Sequence, residues 1–178
     1  MNRMEAQPPH PTHKEGVREG YVLIDQYGPD ILGALQSQSQ KYWKSAHVTA
    51  KPVTTGEVVV TKLRDGTEET KRVAEVDGWK VTHALGEETF QTNAEFNKRY
   101  IPVDGAENEY KSNGKVYVHA IKNPHPDQKV AIKASWGDFE YGDADCYFVD
   151  TYTAETNEPE NQPYIIGREE FETYYSAE

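Results

Sequence analysis

The sequence predicts a β-dominated α+β fold: an N-terminal helix followed by two related small antiparallel β units packed together. Three observations predict it. Short β-branched and aromatic runs bounded by turn residues recur from residue 46 onward. One amphipathic stretch, residues 29–44, carries the helical spacing. The segment "DGWKVTHALGEETFQTNAEFNKRY" (77–100) has a sparser echo in "DCYFVDTYTAETNEPENQPYIIGREEFETYY" (145–175).

Aromatic residues are 11% of the 178, with twelve Tyr, three Trp and five Phe. A disordered chain is poor in such rings, so a folded core built on a few large side chains is expected. The net charge of −11 is unevenly placed. Residues 1–103 carry 14 acids and 13 bases, whereas residues 104–178 carry 16 acids and 6 bases. A field of that sign repels phosphate backbones, which disfavours direct nucleic-acid binding and suits a cationic partner or simple solubility. The single cysteine, Cys146, excludes an intramolecular disulfide framework. Neither a secretory signal nor a run of about 18 apolar residues is present, so a soluble, cytoplasmic protein without membrane contact is expected.

In chain order, residues 1–16 read as a disordered tail with three prolines, His10 and His13. Residues 17–45 form the helical segment. Tyr21–Ile24 suits a short strand. Pro29 and Asp30 suit the first turn of a helix, and Ile31, Leu35, Tyr42 and Trp43 recur near helical spacing. The first β unit, 46–103, contains "HVTAKPV", "EVVVTKL", "KRVAEV" and "WKVTHAL", with "RDGT" as a hairpin turn because Asp-Gly accepts positive φ cheaply. "NAEFNKRY" then reads as a short helix or turn with Phe96 and Tyr100 four apart on one face. Residues 104–114 read as a linker. The second, acidic unit, 115–178, repeats the order with "KVYVHAIK", "QKVAIKASW", a polar bend "GDFEYGDAD", "CYFVDTY", the acidic loop "TAETNEPENQP", "YIIG" and the turn "REEFETYY".

An offset of 68 aligns Asp77–Thr82 on Asp145–Asp150, and an offset of 75 aligns Glu95, Phe96 and Tyr100 on Glu170, Phe171 and Tyr175. The seven extra residues fall in the acidic loop, where insertion is cheap because closure entropy grows slowly with length. "VTAKP" and "VHAIKNP" correspond upstream. In this order "DGWKVT", "LGEETF" and "EFNKRY", with "GDADCYFVD", "YIIG" and "EFETYY", resemble the small β-rich domains named for a Pro-Gly-Asp-Tyr-Gly motif, the PGDYG family. The resemblance covers about 46–103 and 115–178. It implies a β-rich fold and no particular reaction.

The candidate ligand-binding residues are Trp79, His83, Glu95 and Tyr100 in the first copy and Tyr147, Glu170 and Tyr175 in the second. They are read either as an aromatic groove with polar handles or as core rings. His83, followed by Glu87 and Glu88, has the chemistry of acid–base catalysis but no nucleophile or oxyanion device beside it. Asp138, Glu140, Asp143, Asp145 and Asp150 form an expected acidic face. Their spacing departs from an EF-hand loop, so no metal is expected. Cys146 stands among acids, which suppress thiolate. No phosphate loop or metal-spaced Cys/His set is present, and no cofactor is expected. The sequence therefore predicts a non-catalytic binding or adaptor protein recognising a protein or small ligand through aromatic and acidic surfaces. The alternatives are an acidic decoy occupying a basic groove, or a small enzyme using His83 and nearby carboxylates.

Overall fold

The computed structural model describes residues 16–134 and 137–178; all but Gly16 of the expected N-terminal tail lies outside them. Strands dominate. The order is β1 (Tyr21–Leu23), a π-helical turn (Pro29–Gly33), α1 (Ala34–Ser37), β2 (Gln40–Lys44), β3 (Val48–Val53), β4 (Val58–Lys62) and β5 (Glu68–Val73). Then come β6 (Gly78–Thr82), β7 (Glu88–Thr92), α2 (Asn93–Arg99), β8 (Tyr100–Pro102), β9 (Glu109–Ser112) and β10 (Val116–Lys122). The chain ends with β11 (Lys129–Lys133), β12 (Phe139–Gly142), β13 (Tyr147–Thr153), β14 (Glu158–Pro159), β15 (Tyr164–Ile166), α3 (Arg168–Tyr174) and β16 (Tyr175–Ala177). Two compact units result. A middle unit holds Lys44–Lys115 with Thr173–Ser176, and a flanking unit holds the chain up to Trp43, Val116–Glu172 and Ala177–Glu178.

The middle unit is an antiparallel sheet in the order β7–β6–β3–β9–β8. On β3, Val48 and Ala50 are buried and Thr49 and Lys51 exposed, the alternation of a strand with one covered face. Ala50 faces Val81 across the ladder, and Val48 faces Tyr110. The helix α2 covers that face with Phe96, closing a core of Val48, Ala50, Val81 and Tyr100 flanked by Trp79 and Tyr110. Its start is set locally. Thr92 accepts from the Glu95 amide, and the Glu95 carboxylate accepts from the Thr92 amide, a reciprocal capping box. β4 and β5 form a separate hairpin with the Asp-Gly turn of the sequence reading, in which Gly66 takes φ +88°. Asp77 accepts from the Thr55 amide and hydroxyl, each at 2.7 Å, and so fastens the chain ahead of β6.

In the flanking unit the sheet runs β14–β13–β10–β2, with β15 also on β13. β13 is buried at four successive positions, Tyr147 to Asp150, because both of its faces are covered. Successive side chains point to opposite faces, so Tyr147 meets Phe171 of α3 while Phe148 joins a second cluster. That cluster unites Ile31, Leu35, Val130, Ile132 and Cys146. Val130 and Ile132 come from a three-stranded sheet, β1–β11–β12.

Four elements differ from the sequence expectation. The helix expected at 29–44 stops at Ser37, and Tyr42 and Trp43 lie on strand β2, antiparallel to β10. The hydroxyls of Ser37 and Ser39 donate back to the Gly33 and Leu35 carbonyls, a competing bond pattern that ends the helix and frees the β-forming rings to pair. The segment read as a linker contains β9, and the polar bend contains β12. β1 runs parallel to β11, so the pairing is not purely antiparallel.

Candidate functional site

The expected ring residues sit in two clusters. In the middle unit Trp79 stacks on Phe96 with centroids 4.5 Å apart and planes 16° apart, and Tyr100 lies 5.1 Å from Phe96. Tyr110 meets Phe96 edge-on at 4.9 Å and 80°. In the flanking unit Tyr147 stacks on Phe171 at 4.2 Å and 24°, and Tyr42 meets Phe171 edge-on at 4.8 Å and 77°. Both phenylalanines are 2% exposed and Tyr100 and Tyr147 are buried, whereas Trp79, Tyr110 and Tyr42 are half-buried. Glu170 lies in the first turn of α3 and Tyr175 opens β16.

The residues around His83 are brought near one another, but each is engaged in its own contact. His83 Nε2 shares a hydrogen bond with Thr89 Oγ1 at 3.0 Å. Burial, reinforced by the Lys44 ammonium, lowers its pKa and favours the neutral ring. The Tyr174 hydroxyl donates to Glu87, whose other oxygen lies 3.5 Å from Arg64 Nε. Glu88 pairs with Lys80 at 3.4 Å. Glu95 is committed to the cap of α2.

The five acids do not share one environment. Asp138, Asp143 and Asp145 are exposed. Glu140 is half-buried and accepts from the Ile165 amide; burial raises its pKa. Asp150 is 0% exposed and points inward, where its two oxygens accept from the Asn161 and Gln162 amides and hold the acidic loop. Cys146 is likewise buried, and its thiol is pushed up to about 12 by burial and by Asp145 and Asp143. His47 pairs with Glu109 and His119 with Ser39, so these two histidines are not joined. Among the described residues no three His, Cys, Asp or Glu side chains gather as metal ligands.

One groove does collect sequence-flagged residues. A cavity of about 290 Å³ in the flanking unit is lined by Lys122, Asn123, Asp145, Tyr147, Arg168 and Glu172, among others. The Tyr147 hydroxyl donates to Glu172 Oε2 at 3.3 Å. Burial, then the Glu172 charge, raises its pKa and keeps it a donor. Arg168 reaches Glu172 at 3.3 Å and Asp145 at 4.0 Å. The floor is held by Asn123, whose amide donates to the Gln128 and Ala144 carbonyls. The groove thus offers a ring edge, two carboxylates and an exposed arginine that an incoming cation can replace. Glu172, Arg168 and Lys122 were not singled out by the sequence. The available signal was the i, i+4 pairing of Arg168 with Glu172.

No family model, curated protein or solved structure matches the chain. Among the described residues no helix is long and apolar enough to cross a membrane.

Proposed function

We propose that the chain is a non-catalytic binding protein built from one β scaffold used twice, in the manner of the PGDYG-type domains it resembles. The register supports the duplication. A shift of 70 carries the facing residue Ala50 onto Ala120, and a shift of 68 carries its partner Val81 onto Val149, which faces Ala120. A shift of 75 carries Gln91, opposite Trp79, onto Ile166, opposite Tyr147. The shift of 68 carries Trp79 onto Tyr147 and the shift of 75 carries Phe96 onto Phe171, whereas the edge-on tyrosines stand in the opposite sequence order, Tyr110 of the first cluster lying 68 residues after Tyr42 of the second. The sheet orders also match within each unit, β7–β6–β3–β9 against β15–β13–β10–β2. One connection differs. The strand carrying the edge-on tyrosine precedes the other copy's first core strand in sequence: β2 lies before β3 but pairs with β10, and β9 lies before β10 but pairs with β3.

The scaffold presents its binding surface on the acidic flanking unit, and the partner is a cationic segment of a protein. The observation that carries this is the groove beside Tyr147, in which Asp145 and Glu172 are held by a single exposed arginine. An exposed ion pair of that kind contributes about 1 kcal/mol or less, so a partner's lysine or arginine displaces it at little cost. The net charge of −10 over residues 104–178 raises the encounter rate with such a segment. The decoy reading is less well supported, because Asp150 is turned inward and Glu140 is engaged by a backbone amide.

Titration of the full chain with an octalysine peptide at about 150 mM salt tests the proposal; at that ionic strength distant charges are screened beyond roughly 8 Å. Binding should weaken at least about tenfold in Asp145→Asn/Glu172→Gln, the factor expected from losing one close charge contact. A variant as tight as the wild type, or no binding by either protein, refutes the assignment.

A further inference from the structure

On the sheet face opposite Phe171, the flanking unit carries a row of rings that the groove does not use. Tyr152 and Tyr117 are cross-strand partners with rings 5.4 Å apart and nearly parallel, at 18°. Trp43 lies 5.1 Å from Tyr117. The Tyr117 hydroxyl donates to Asn157 at 2.8 Å, which fixes the middle ring. The Trp43 Nε1–H donates to Glu178 Oε2 at 3.2 Å, which fixes the indole and sets a carboxylate at its edge.

A cation already occupies this arrangement. Lys41 Nζ lies 4.1 Å from the Tyr117 ring centre, 4.9 Å from that of Trp43 and 3.2 Å from Glu178 Oε1. Two ring faces and one carboxylate around an ammonium are the components by which proteins bind alkylammonium groups, because the ring quadrupole and the carboxylate both attract positive charge. The plug is loosely held. Lys41 is 27% exposed and Glu178 56% exposed, so their ion pair is solvent-screened and weak.

We propose that the Trp43–Tyr117–Glu178 cluster is a binding seat for a lysine ammonium, plain or methylated, on a basic peptide, with Lys41 as its resident intramolecular plug. The proposal rests on reading the chain as a binder of cationic partners, and it places a second contact outside the Tyr147 groove. The buried Tyr117 ring, anchored on Asn157, stays in place when one ammonium is exchanged for another. The negative field over residues 104–178 selects a basic peptide over a neutral one.

The test uses the full-length chain and Lys41→Gln, titrated with tetramethylammonium chloride against sodium chloride at equal ionic strength. The reporter is the Trp43 indole N–H resonance, with the remaining amide spectrum as the check on folding. In Lys41→Gln, tetramethylammonium should shift the Trp43 signal saturably. It should do so at least about tenfold more weakly in the wild type, and Glu178→Gln in the Lys41→Gln background should remove most of the response. Equal responses to sodium and tetramethylammonium, or equal responses in wild type and Lys41→Gln, overturn the seat. If octalysine binding still depends on Asp145 and Glu172 while Trp43 stays silent, the seat fails and the groove reading stands. If octalysine does not bind at all, the broader reading fails with it.

Discussion

Phe96→Ala and Phe171→Ala should each destabilise the full chain by about 3–5 kcal/mol, the cost of removing a buried ring that leaves a cavity behind. Both rings are 2% exposed and lie between a stacked aromatic and an edge-on tyrosine. Beyond area burial, such aromatic pairs add about 0.5–1.5 kcal/mol, so neither site relaxes around alanine without further loss. If the two units are copies of one scaffold, as proposed, the two losses should agree within about 1 kcal/mol, less than the spread seen for one substitution type at unrelated sites. Urea denaturation measures this directly. A loss below about 1 kcal/mol at either position would show that its phenylalanine is not the centre of a packed cluster.

Gly78→Ala should be the second large effect. A Cβ at Gly78 would lie 2.3 Å from the Gln91 carbonyl oxygen and 2.7 Å from Phe90 Cζ, both on the neighbouring strand β7. The carbonyl is ladder backbone and cannot swing aside, so β6 and β7 must part. The expected cost is about 3 kcal/mol, at the upper end for overpacking. Gly33 supplies the contrast. It sits at φ −60° and ψ −43°, and its added Cβ would meet nothing closer than Pro29 Cβ at 3.7 Å. Gly33→Ala should therefore be neutral or stabilising by up to about 1 kcal/mol. Melting curves for the two variants decide the matter: equal effects of the two alanines would contradict the close approach at Gly78.

The sequence patterns revealed local structure more readily than partnership. The β-branched run "HVTAKPV", the Asp-Gly turn and the short helix around Phe96 all form within a few residues, although that helix ends at Arg99 and Tyr100 opens β8 instead of continuing its face. The stretch around Tyr42 and Trp43 misled because its apolar spacing suits a helix while its β pairing depends on β10, more than seventy residues away. A strand's partner is set by cross-strand packing, to which periodicity is blind. The same reason hid β9 inside a supposed linker and left Lys41, Trp43 and Tyr117 unconnected. Asp150 read as a surface acid because composition does not reveal that two loop amides draw its carboxylate inward. Cys146 was legible for a physical reason: acids flanking a thiol suppress ionisation whether or not it is buried, and burial acts in the same direction, although Cys146 lies just ahead of β13 and not on the strand the sequence predicts.

The proposed exchange of strands between two copies of one scaffold is open to one decisive measurement. Double-mutant cycles on the full chain should give a coupling of about 0.5–1.5 kcal/mol between Tyr42→Leu and Phe171→Leu, the value of an aromatic pair beyond its burial. Tyr42→Leu with Phe96→Leu should be additive to within about 0.5 kcal/mol. Tyr42 is far nearer Phe96 in sequence, yet its ring stands 4.8 Å from Phe171. A coupling that instead joins Tyr42 to Phe96, with none to Phe171, would place β2 in the other sheet and end the case for a duplicated scaffold with crossed first strands.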